Sequence, residues 1–312
     1  MKKFLFILAG AACVHMQAFA FCWDADLALT TGYRSDKIQT NLLGFDPPGT
    51  LVIQDDLEAK NLDIWTLGVK GRASLDEQLY VRGYADFGWV YSGHYNEEAA
   101  FPIIVSEIST AHIHKGHTRD YSIGAGFLFS FIDNCDCPSS FVNRLKIGPV
   151  TGYSYDYLKV KMGNVHTNGI DDTVLSGLGY DMRWQGPWLG ADFNVDMNNN
   201  ISINGGYEFH WSDWQAHWRL NGPNVPQQAF SDKRHSKHAY GNVVFIDGIY
   251  TFCNCWEAGL GFKYQYFKAG HGRAVPLAGS FADLDLSDTE IDKIPKAIWR
   301  SYQVQLSIGY RF

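Results

Sequence analysis

The chain has 312 residues, of which 46% are hydrophobic and 15% aromatic, and its formal net charge is −7. The acidic balance and the lack of any basic block exclude a phosphate-binding stripe, so we expect no nucleic-acid partner. After the first twenty residues, no apolar run approaches the roughly 18 residues that a transmembrane helix needs, so a helical span is not expected.

The first twenty residues have the form of a secretory signal peptide. Lys2 and Lys3 precede an apolar run over residues 4–12, and the triplet Ala18-Phe19-Ala20 supplies a small-x-small cleavage site. We therefore expect residues 1–20 to be removed and residues 21–312 to form a single domain. Loss of the two lysines changes the formal charge from −7 to −9.

Ten segments of the remaining chain alternate apolar and polar residues with period two, which is the pattern of a β-strand with two different faces. In chain order they lie at 24–34, 62–73, 79–91, 120–131, 144–159, 175–193, 201–211, within 240–252, 256–267 and 302–312. Pro149 predicts a bulge in the fifth segment because proline cannot donate to the ladder. Gly186-Pro187 predicts an interruption of the sixth, and the eighth has no clear parity.

The last segment is apolar on one parity up to the final residue. Its apolar positions are Tyr302, Val304, Leu306, Ile308, Tyr310 and Phe312. An alternating strand that ends on an aromatic residue resembles the terminal strand of bacterial outer-membrane barrels. That resemblance implies that this strand closes a barrel and acts as the assembly signal, with the barrel-assembly machinery and outer-membrane lipid as partners.

The connections between the ten segments alternate in length. Short turns are expected at 74–78, 132–142, 196–200 and 253–255, and long polar connections at 35–61, 92–119, 161–173, 212–239 and 268–299. Outer-membrane barrels have short periplasmic turns and long outer loops, and lipid offers no partner to an open sheet edge. We therefore predict an all-β, closed antiparallel up-and-down transmembrane barrel of about ten strands, located in the outer membrane.

The inward parity of these strands carries charges of both signs. The candidates are Lys70, Arg72, Arg82, Asp86, Asp120, Arg144, Lys146, Asp156, Glu208, Glu257, Lys263 and Arg311. One hypothesis is a charge-lined water pore whose charged rings tune solute selectivity. The alternative is a small barrel whose lumen is filled by paired side chains and closed to solutes. The sequence leaves both open.

Five cysteines remain after cleavage: Cys22, Cys135, Cys137, Cys253 and Cys255. Export allows disulfides, and the odd number leaves at least one thiol free or intermolecular. Both Cys-x-Cys pairs fall in expected short turns. Disulfides between turns or to neighbouring envelope proteins are favoured over a four-thiolate zinc site, whose pairs usually have wider spacing. A bridge within one Cys-x-Cys pair would be strained. We predict no metal and no cofactor.

Histidines concentrate in the expected long loops. His112, His114 and His117 lie in the second loop, and His235 and His238 lie in the fourth. Such clusters can bind a metal or supply a general base, but surface loops also collect polar residues without either role.

A ten-stranded barrel of this length with five long outer loops and a terminal Tyr-x-Phe resembles the omptin fold of outer-membrane proteases. The resemblance implies an Asp-x-Asp pair beyond strand three and an Asp-x-His pair beyond strand seven, which hold the attacking water. Residues 91–98 read YSGHYNEE and contain no aspartate, and Asp213 and His217 are four positions apart. No catalytic residue of that family is therefore matched.

The doubled cysteines resemble those of outer-membrane proteins from chlamydia-like bacteria, which rely on disulfide-linked envelopes and include porin-like members. We accordingly expect a non-enzymatic outer-membrane barrel that is a porin-like channel for small hydrophilic solutes, a structural envelope component, or both. The alternatives are an omptin-like surface protease with displaced catalytic residues and an adhesin that presents long outer loops to host surfaces.

Overall fold

The computed structural model describes residues 23–45, 51–76, 78–101, 104–133, 142–163, 165–168, 174–175, 179–197, 200–220, 230–253, 255–277 and 293–312. The predicted signal peptide and three of the cysteines (Cys22, Cys135 and Cys137) lie outside these residues. Within them, no helix has the length and apolar character needed to cross a membrane.

The described residues form a single antiparallel sheet. Its strands are β1 (Trp23–Phe45), β2 (Leu51–Leu75), β3 (Leu79–Phe101), β4 (Ile104–Phe127), β5 (Phe129–Asp133), β6 (Arg144–Met162), β7 (Val165–Asn168), β8 (Val174–Leu175), β9 (Gly179–Asp196), β10 (Ile201–Leu220), β11 (Phe230–Phe252), β12 (Trp256–Gly270), β13 (Gly272–Leu277) and β14 (Lys293–Arg311).

Ten of these strands form the wall of a closed barrel, in the order β1-β2-β3-β4-β6-β9-β10-β11-β12-β14. The first and last strands pair along their length, for example Leu29 with Ile308, and this pairing closes the cylinder. β5 continues β4 beyond Leu128, β13 follows β12, and β7 with β8 forms a small hairpin beside β4. The predicted ten-stranded up-and-down barrel is confirmed.

The predicted outward parity is also confirmed. Trp89, Leu306 and Leu29 are 52%, 61% and 63% exposed on the outer wall. The apolar outer residues of β1 run from Trp23 to Tyr33, which is about the 9–11 residues that a tilted strand uses to cross a bilayer. Outward aromatic residues ring the far boundary of this apolar band, as expected where a barrel meets the lipid headgroups. They are Tyr33, Trp65, Tyr91, Tyr121, Tyr157, Trp211, Tyr240 and Tyr266.

The predicted long loops are wrong for most of their length, because the strands continue far beyond the apolar band. β1 runs to Phe45 and β2 begins at Leu51, where a connection over 35–61 was expected. Likewise β3 and β4 fill most of 92–119, and β10 and β11 fill most of 212–239. In the remaining two connections, strand also covers residues 161–162, 165–168, 268–270, 272–277 and 293–299.

The two faces exchange polarity at the end of the apolar band, and this explains the error. On the outer parity of β1, Leu29 and Tyr33 are followed by Lys37 and Gln39, whereas the inner parity passes from polar residues to buried Ile38. A strand in water needs a polar outer face and an apolar inner one, the reverse of a strand in lipid. We call this part the extramembrane cylinder; it comprises residues 35–45, 51–63, 92–101, 104–119, 158–163, 165–168, 179–185, 212–220, 230–239, 267–277 and 293–300.

Two proline predictions are corrected. β9 is not interrupted at Gly186-Pro187, since Pro187 pairs in register with Tyr153. Pro149 keeps its register with Ala191, and the discontinuity falls on the strand at its other side, where Leu128 separates β4 from β5. A proline lacks the backbone N–H that would bond to one of its two neighbouring strands. The break in regular pairing can therefore fall on that neighbouring strand instead of on the strand that contains the proline.

The eighth segment is part of β11, and its inner face explains its unclear parity. Tyr240, Val244 and Ile246 are exposed on the outer wall, whereas Val243 and Phe245 point inward. Apolar residues on both faces remove the alternation that marks the other strands.

Candidate functional site

The barrel interior is the candidate site, and it divides into an apolar half and a polar half. The apolar half lies largely inside the extramembrane cylinder, where buried side chains from all ten wall strands pack into one cluster. The cluster comprises Ile38, Leu42, Leu57, Ala59, Leu62, Ile64, Val90, Tyr95, Ala111, Ile113, Leu158, Val160, Met162, Tyr180, Met182, Trp184, Trp214, Ala216, Ala239, Val243, Phe267, Ala269, Ile294, Ala297 and Trp299.

Aromatic rings form the base of this apolar half. Trp184 lies 5.9 Å from Trp214 and 5.4 Å from Phe267, which stacks on Trp299 at 5.5 Å (centroid distances). Each of the four is 1% exposed or less. β9 and β12 are three places apart around the wall, so the Trp184–Phe267 contact crosses the lumen. We call these four rings the aromatic layer.

Arg34 extends the aromatic layer to the opposite wall. Its guanidinium carbon lies 5.0 Å from the Trp299 ring centroid, a cation–π contact. Its Nε and Nη2 donate to the two carboxylate oxygens of Asp36 at 2.7 Å each, while Nη1 pairs with Asp120 on β4. Trp299 Nε1 donates to Asp36 at 3.0 Å. Arg34 and Asp36 are fully buried, so this network joins β1, β4 and β14 away from solvent.

A contact across the full diameter lies further along the cylinder. Thr40 Oγ1 on β1 and Tyr180 Oη on β9 are 3.4 Å apart, and these strands are five places apart in a ring of ten. Side chains from opposite walls therefore meet inside the extramembrane cylinder at this level.

The polar half lies at the end with the short turns, and its predicted charges pair across the lumen. Lys70 Nζ lies 2.7 Å from Asp247, and Lys263 Nζ lies 3.6 Å from Asp86. Every one of these pairs joins strands four places apart around the wall.

Arg82 is the centre of the largest cluster in the polar half. It donates to Asp192 at 2.7 Å through Nε and to Glu208 at 2.7 Å through Nη2. Tyr80 Oη donates to the same Asp192 carboxylate at 2.7 Å. The guanidinium also lies 4.9 Å from the Trp188 ring centroid.

The remaining predicted charged residues lie in three different surroundings. Asp120 and Asp156 face one another in register across β4 and β6, and both are buried. Arg72 lies 4.4 Å from the Tyr80 ring centroid. The others line the mouth at the turn end; they are Arg144, Lys146, Glu257 and Arg311.

Two adjoining cavities occupy the polar half. The deeper one lies between Lys70, Arg82 and Asp192 and has about 910 Å³ of empty space, and the other has about 1220 Å³ at the mouth; both are open to solvent. The mouth is lined by polar side chains, including Asn194, Asn204 and the exposed Asp24–Arg311 ion pair. The interior is thus a polar vestibule at the turn end that meets the aromatic layer.

Sequence reasoning missed the residues that close the lumen. Three of these residues, Arg34, Asp36 and Trp299, lie at or beyond the predicted strand ends. Extending the inward parity of β1 and β14 past the outward aromatic residues at the end of the apolar band would have found them. Asp247 was not predicted because the unclear parity of β11 did not show which of its residues face inward. Asp192 lies on β9, whose inner face carries the tryptophans Trp184 and Trp188.

A Ser–His–Glu row lies in the lumen. Ser154 Oγ is 3.0 Å from His210 Nδ1, and His210 Nε2 is 2.8 Å from Glu208. Serine hydrolases use the opposite nitrogens, with the carboxylate on Nδ1 and the nucleophile on Nε2. All three residues are 1% exposed, and His210 packs against Trp188 and Phe267. The arrangement satisfies buried polar groups in an order that does not match that of a serine hydrolase.

The positions that correspond to the omptin pairs do not converge. Residues 91–98 lie on β3 and alternate between the two faces. Asp213 and His217 are both on the outer wall of β10, where His217 Nδ1 lies 3.2 Å from Asp181.

Two polar groups of the extramembrane cylinder have perturbed protonation. Lys37 pairs with Glu58 on the outer wall, and this contact lowers the pKa of the Glu58 carboxyl. Inside, burial raises the pKa of Tyr95 well above its usual value, and its hydroxyl donates to Glu97 at 2.6 Å. Both pairings are consistent with a cylinder whose outer wall is wet and whose centre is dry.

The described cysteines are free thiols in the turn between β11 and β12. Cys253 is exposed and has a φ of 51°, and Cys255 is half-buried. The predicted bridges to the other three cysteines involve positions outside the described residues.

Of three solved structures that are similar to this chain, the first supports the fold. The outer membrane protease OmpT from Escherichia coli has a TM-score of 0.65 at 13% identity, covering 95% of this chain and 99% of that one. OprG from Pseudomonas aeruginosa has a TM-score of 0.35 at 9% identity, covering 92% and 96%. Ail, the attachment invasion locus protein of Yersinia pestis, has a TM-score of 0.28 at 10% identity, covering 92% and 99%.

Among curated proteins, no sequence matches this chain. A family model described as Protochlamydia outer membrane protein (Pom) matches residues 28–312, nearly the whole chain. The protein is therefore an omptin-like barrel of the outer membrane, and the chain belongs to the Protochlamydia outer membrane protein family.

Proposed function

We propose that this protein is a structural component of the outer membrane with a closed lumen. It anchors in lipid through the apolar band and holds the extramembrane cylinder above the membrane. The turn-end vestibule faces the periplasm and ends blindly at the aromatic layer. Of the two hypotheses for the lumen, this proposal adopts the filled barrel over the porin-like channel.

The observation that carries the proposal is the aromatic layer joined to Arg34. A water-filled pore needs a continuous polar path, whereas this layer places fully buried Trp184, Trp214 and Trp299 across the lumen. Above it, buried aliphatic residues continue the closure toward the cell exterior. Protein cores of this kind are close-packed and leave few voids larger than a water molecule.

The test is planar-bilayer recording on purified, refolded protein. We expect no unitary conductance from the wild type, with insertion verified by liposome flotation and by a heat-dependent gel shift. Reproducible conductance steps from the wild type would overturn the proposal in favour of the porin-like channel.

A quadruple variant tests the closure itself. The substitutions Trp184→Ala, Trp214→Ala and Trp299→Ala remove three rings from the aromatic layer, and Tyr180→Ala removes the contact across the diameter above it. We expect this variant to conduct intermittently. The matched control replaces four outward aromatic residues with alanine, at Trp65, Tyr91, Trp211 and Tyr240, and should remain silent.

The structural role includes covalent links to envelope proteins through the turn-end cysteines. Cys253 is exposed on a short turn at the periplasmic side, where disulfides form. We expect high-molecular-weight species on a gel of native membranes without reductant, and their loss in the double variant Cys253→Ser and Cys255→Ser. Identical mobility with and without reductant would argue against links to other proteins.

The proposal includes no catalytic step. The inward row that follows Trp211 on β10 is Ser212, Trp214 and Ala216, and it belongs to the packed interior. Incubation with basic-site peptides in the presence of lipopolysaccharide distinguishes this proposal from the omptin-like protease. Cleavage that persists in a freshly purified sample would support the protease instead.

A further inference from the structure

The histidines of this chain are concentrated on one surface. Ten histidines lie in the described residues, and nine of them belong to the extramembrane cylinder, whereas His210 faces the lumen. The nine are His94, His112, His114, His117, His166, His217, His235, His238 and His271. Imidazole is the commonest protein ligand for transition metals, so two of these rings that lie close together could share one ion.

One pair is directly opposed across two strands. His94 on β3 and His112 on β4 are partners in the ladder, and both side chains are exposed on the outer wall. Their ring centroids are 5.0 Å apart, and the planes are inclined at 62°. The pair stands on two strands held by pairing on both sides, so the backbones that carry the rings are fixed.

The ring separation matches that of two imidazoles on one metal ion. With a metal–nitrogen bond of about 2.0–2.1 Å, each ring centroid lies roughly 3.2 Å from the metal. A tetrahedral angle between the two bonds then gives a centroid separation of roughly 5.2 Å. The observed centroid separation of 5.0 Å is close to this value.

A second cross-strand pair does not have this geometry. The rings of His238 and His271 are also exposed, but their centroids are 6.2 Å apart. The same bond lengths would then require an angle of roughly 150° at the metal, far from tetrahedral. This pair provides a matched control on the same surface.

The surroundings of the first pair leave the other coordination positions open. Within the described part of the chain, no group of three or more His, Cys, Asp or Glu side chains has metal-site geometry. Lys60 is the ladder partner of His94 on β2, and its ammonium lies 3.6 Å from the Glu58 carboxylate, which also pairs with Lys37. Two protein ligands with water in the remaining positions form an exchangeable site, not a closed structural one.

We propose that His94 and His112 form a two-histidine chelate for a divalent transition-metal ion on the cell-exterior face of the barrel. Zn²⁺, Ni²⁺ and Cu²⁺ are the ions that imidazole ligands suit best. The site lies outside the lumen, so it is independent of whether the barrel conducts.

The test is titration of ZnCl₂, the tetrahedral ion whose geometry separates the two pairs, into tag-free, refolded protein in detergent, followed by calorimetry. We expect one binding event that weakens at least tenfold in His94→Asn and in His112→Asn. The double variant should lose little more than either single variant, because one remaining imidazole is no longer a chelate. His238→Asn and His271→Asn should bind as the wild type does.

Cu²⁺ electron paramagnetic resonance gives a readout independent of affinity. We expect hyperfine structure from two equivalent nitrogens in the wild type and from one nitrogen in either single variant. Unchanged Zn²⁺ affinity in the double variant would overturn the proposal, as would an equal loss in the His238 and His271 variants. A heat-dependent gel shift of each variant establishes that it is folded before titration.

Discussion

Arg34 on β1 and Asp120 on β4 form an ion pair inside the barrel although they are 86 positions apart in the sequence. Both side chains are fully buried, and Arg34 is shared with Asp36. A buried charge that loses its partner has neither water nor counter-charge, so this pair is a sensitive point of the fold.

Replacing Arg34 with methionine is expected to destabilise the barrel by about 3–5 kcal/mol, because it leaves two buried carboxylates without their partner. Urea unfolding in lipid vesicles, followed by tryptophan fluorescence, measures the change. The control is Arg311→Met, whose ion pair with Asp24 is exposed and should be worth about 0–1 kcal/mol. Equal effects of the two substitutions would contradict the importance of burial.

The exchange of face polarity predicts opposite outcomes for one substitution at two positions of the same parity. Leu29→Arg places a charge in lipid and should cost about 2–4 kcal/mol if Leu29 lies near the midplane. Gln39→Arg, ten residues further along the outer face of β1, should change stability by less than about 0.5 kcal/mol. Unfolding in vesicles of fixed composition compares them. Similar costs would place the boundary beyond Gln39.

Gly152 and Gly124 provide the space in which Trp188 lies. They are ladder partners on β6 and β4, and a Cβ added to Gly152 would lie 2.4 Å from Trp188 Cζ2 and 2.1 Å from the Ile123 carbonyl oxygen. Gly152→Ala should therefore cost about 1–3 kcal/mol through overpacking. At Gly248 the nearest atom would be 3.9 Å away, so Gly248→Ala serves as the control and should be neutral in the same unfolding measurement.

The terminal residue is expected to matter for assembly more than for packing. Phe312 is 74% exposed, and its backbone N–H donates to the Ala25 carbonyl at 2.8 Å, which fastens the end of β14 beside β1. Deleting Phe312 should reduce the amount of folded barrel in the outer membrane several-fold. The folded fraction is measured by the heat-dependent gel shift of membrane extracts. Phe131→Ala, at a comparably exposed aromatic position, should assemble normally.

The barrel could be predicted from the sequence because lipid imposes a simple alternation. The parities of β3 and β14 were right because every outward residue from Leu79 to Tyr91, and from Tyr302 to Phe312, is apolar, aromatic or small. The charges of the membrane-embedded lumen, such as Arg82 and Asp86, followed from the same alternation.

The closed lumen could not be predicted in the same way. Beyond the outward aromatic residues that end the apolar band, water replaces lipid outside the wall. Buried Ile38 and Leu62 therefore lie on the same parity that carries polar residues inside the membrane-embedded part of the barrel. A search for apolar outer faces treats such segments as loops. Cross-lumen partners such as Lys70 with Asp247 also depend on the width of the barrel, which the pattern of one strand does not contain.

The exchange of face polarity fixes how deeply the protein is immersed. A strand advances about 3.3–3.4 Å per residue, so sinking the barrel by only two residues would bring outward polar side chains into hydrocarbon. Raising the barrel by the same amount would expose the outward aromatic residues and part of the apolar band to water. Since each wall strand carries its own transition, the ten transitions together resist both vertical drift and tilting. A protein built in this way keeps its exterior surface at a constant height above the lipid.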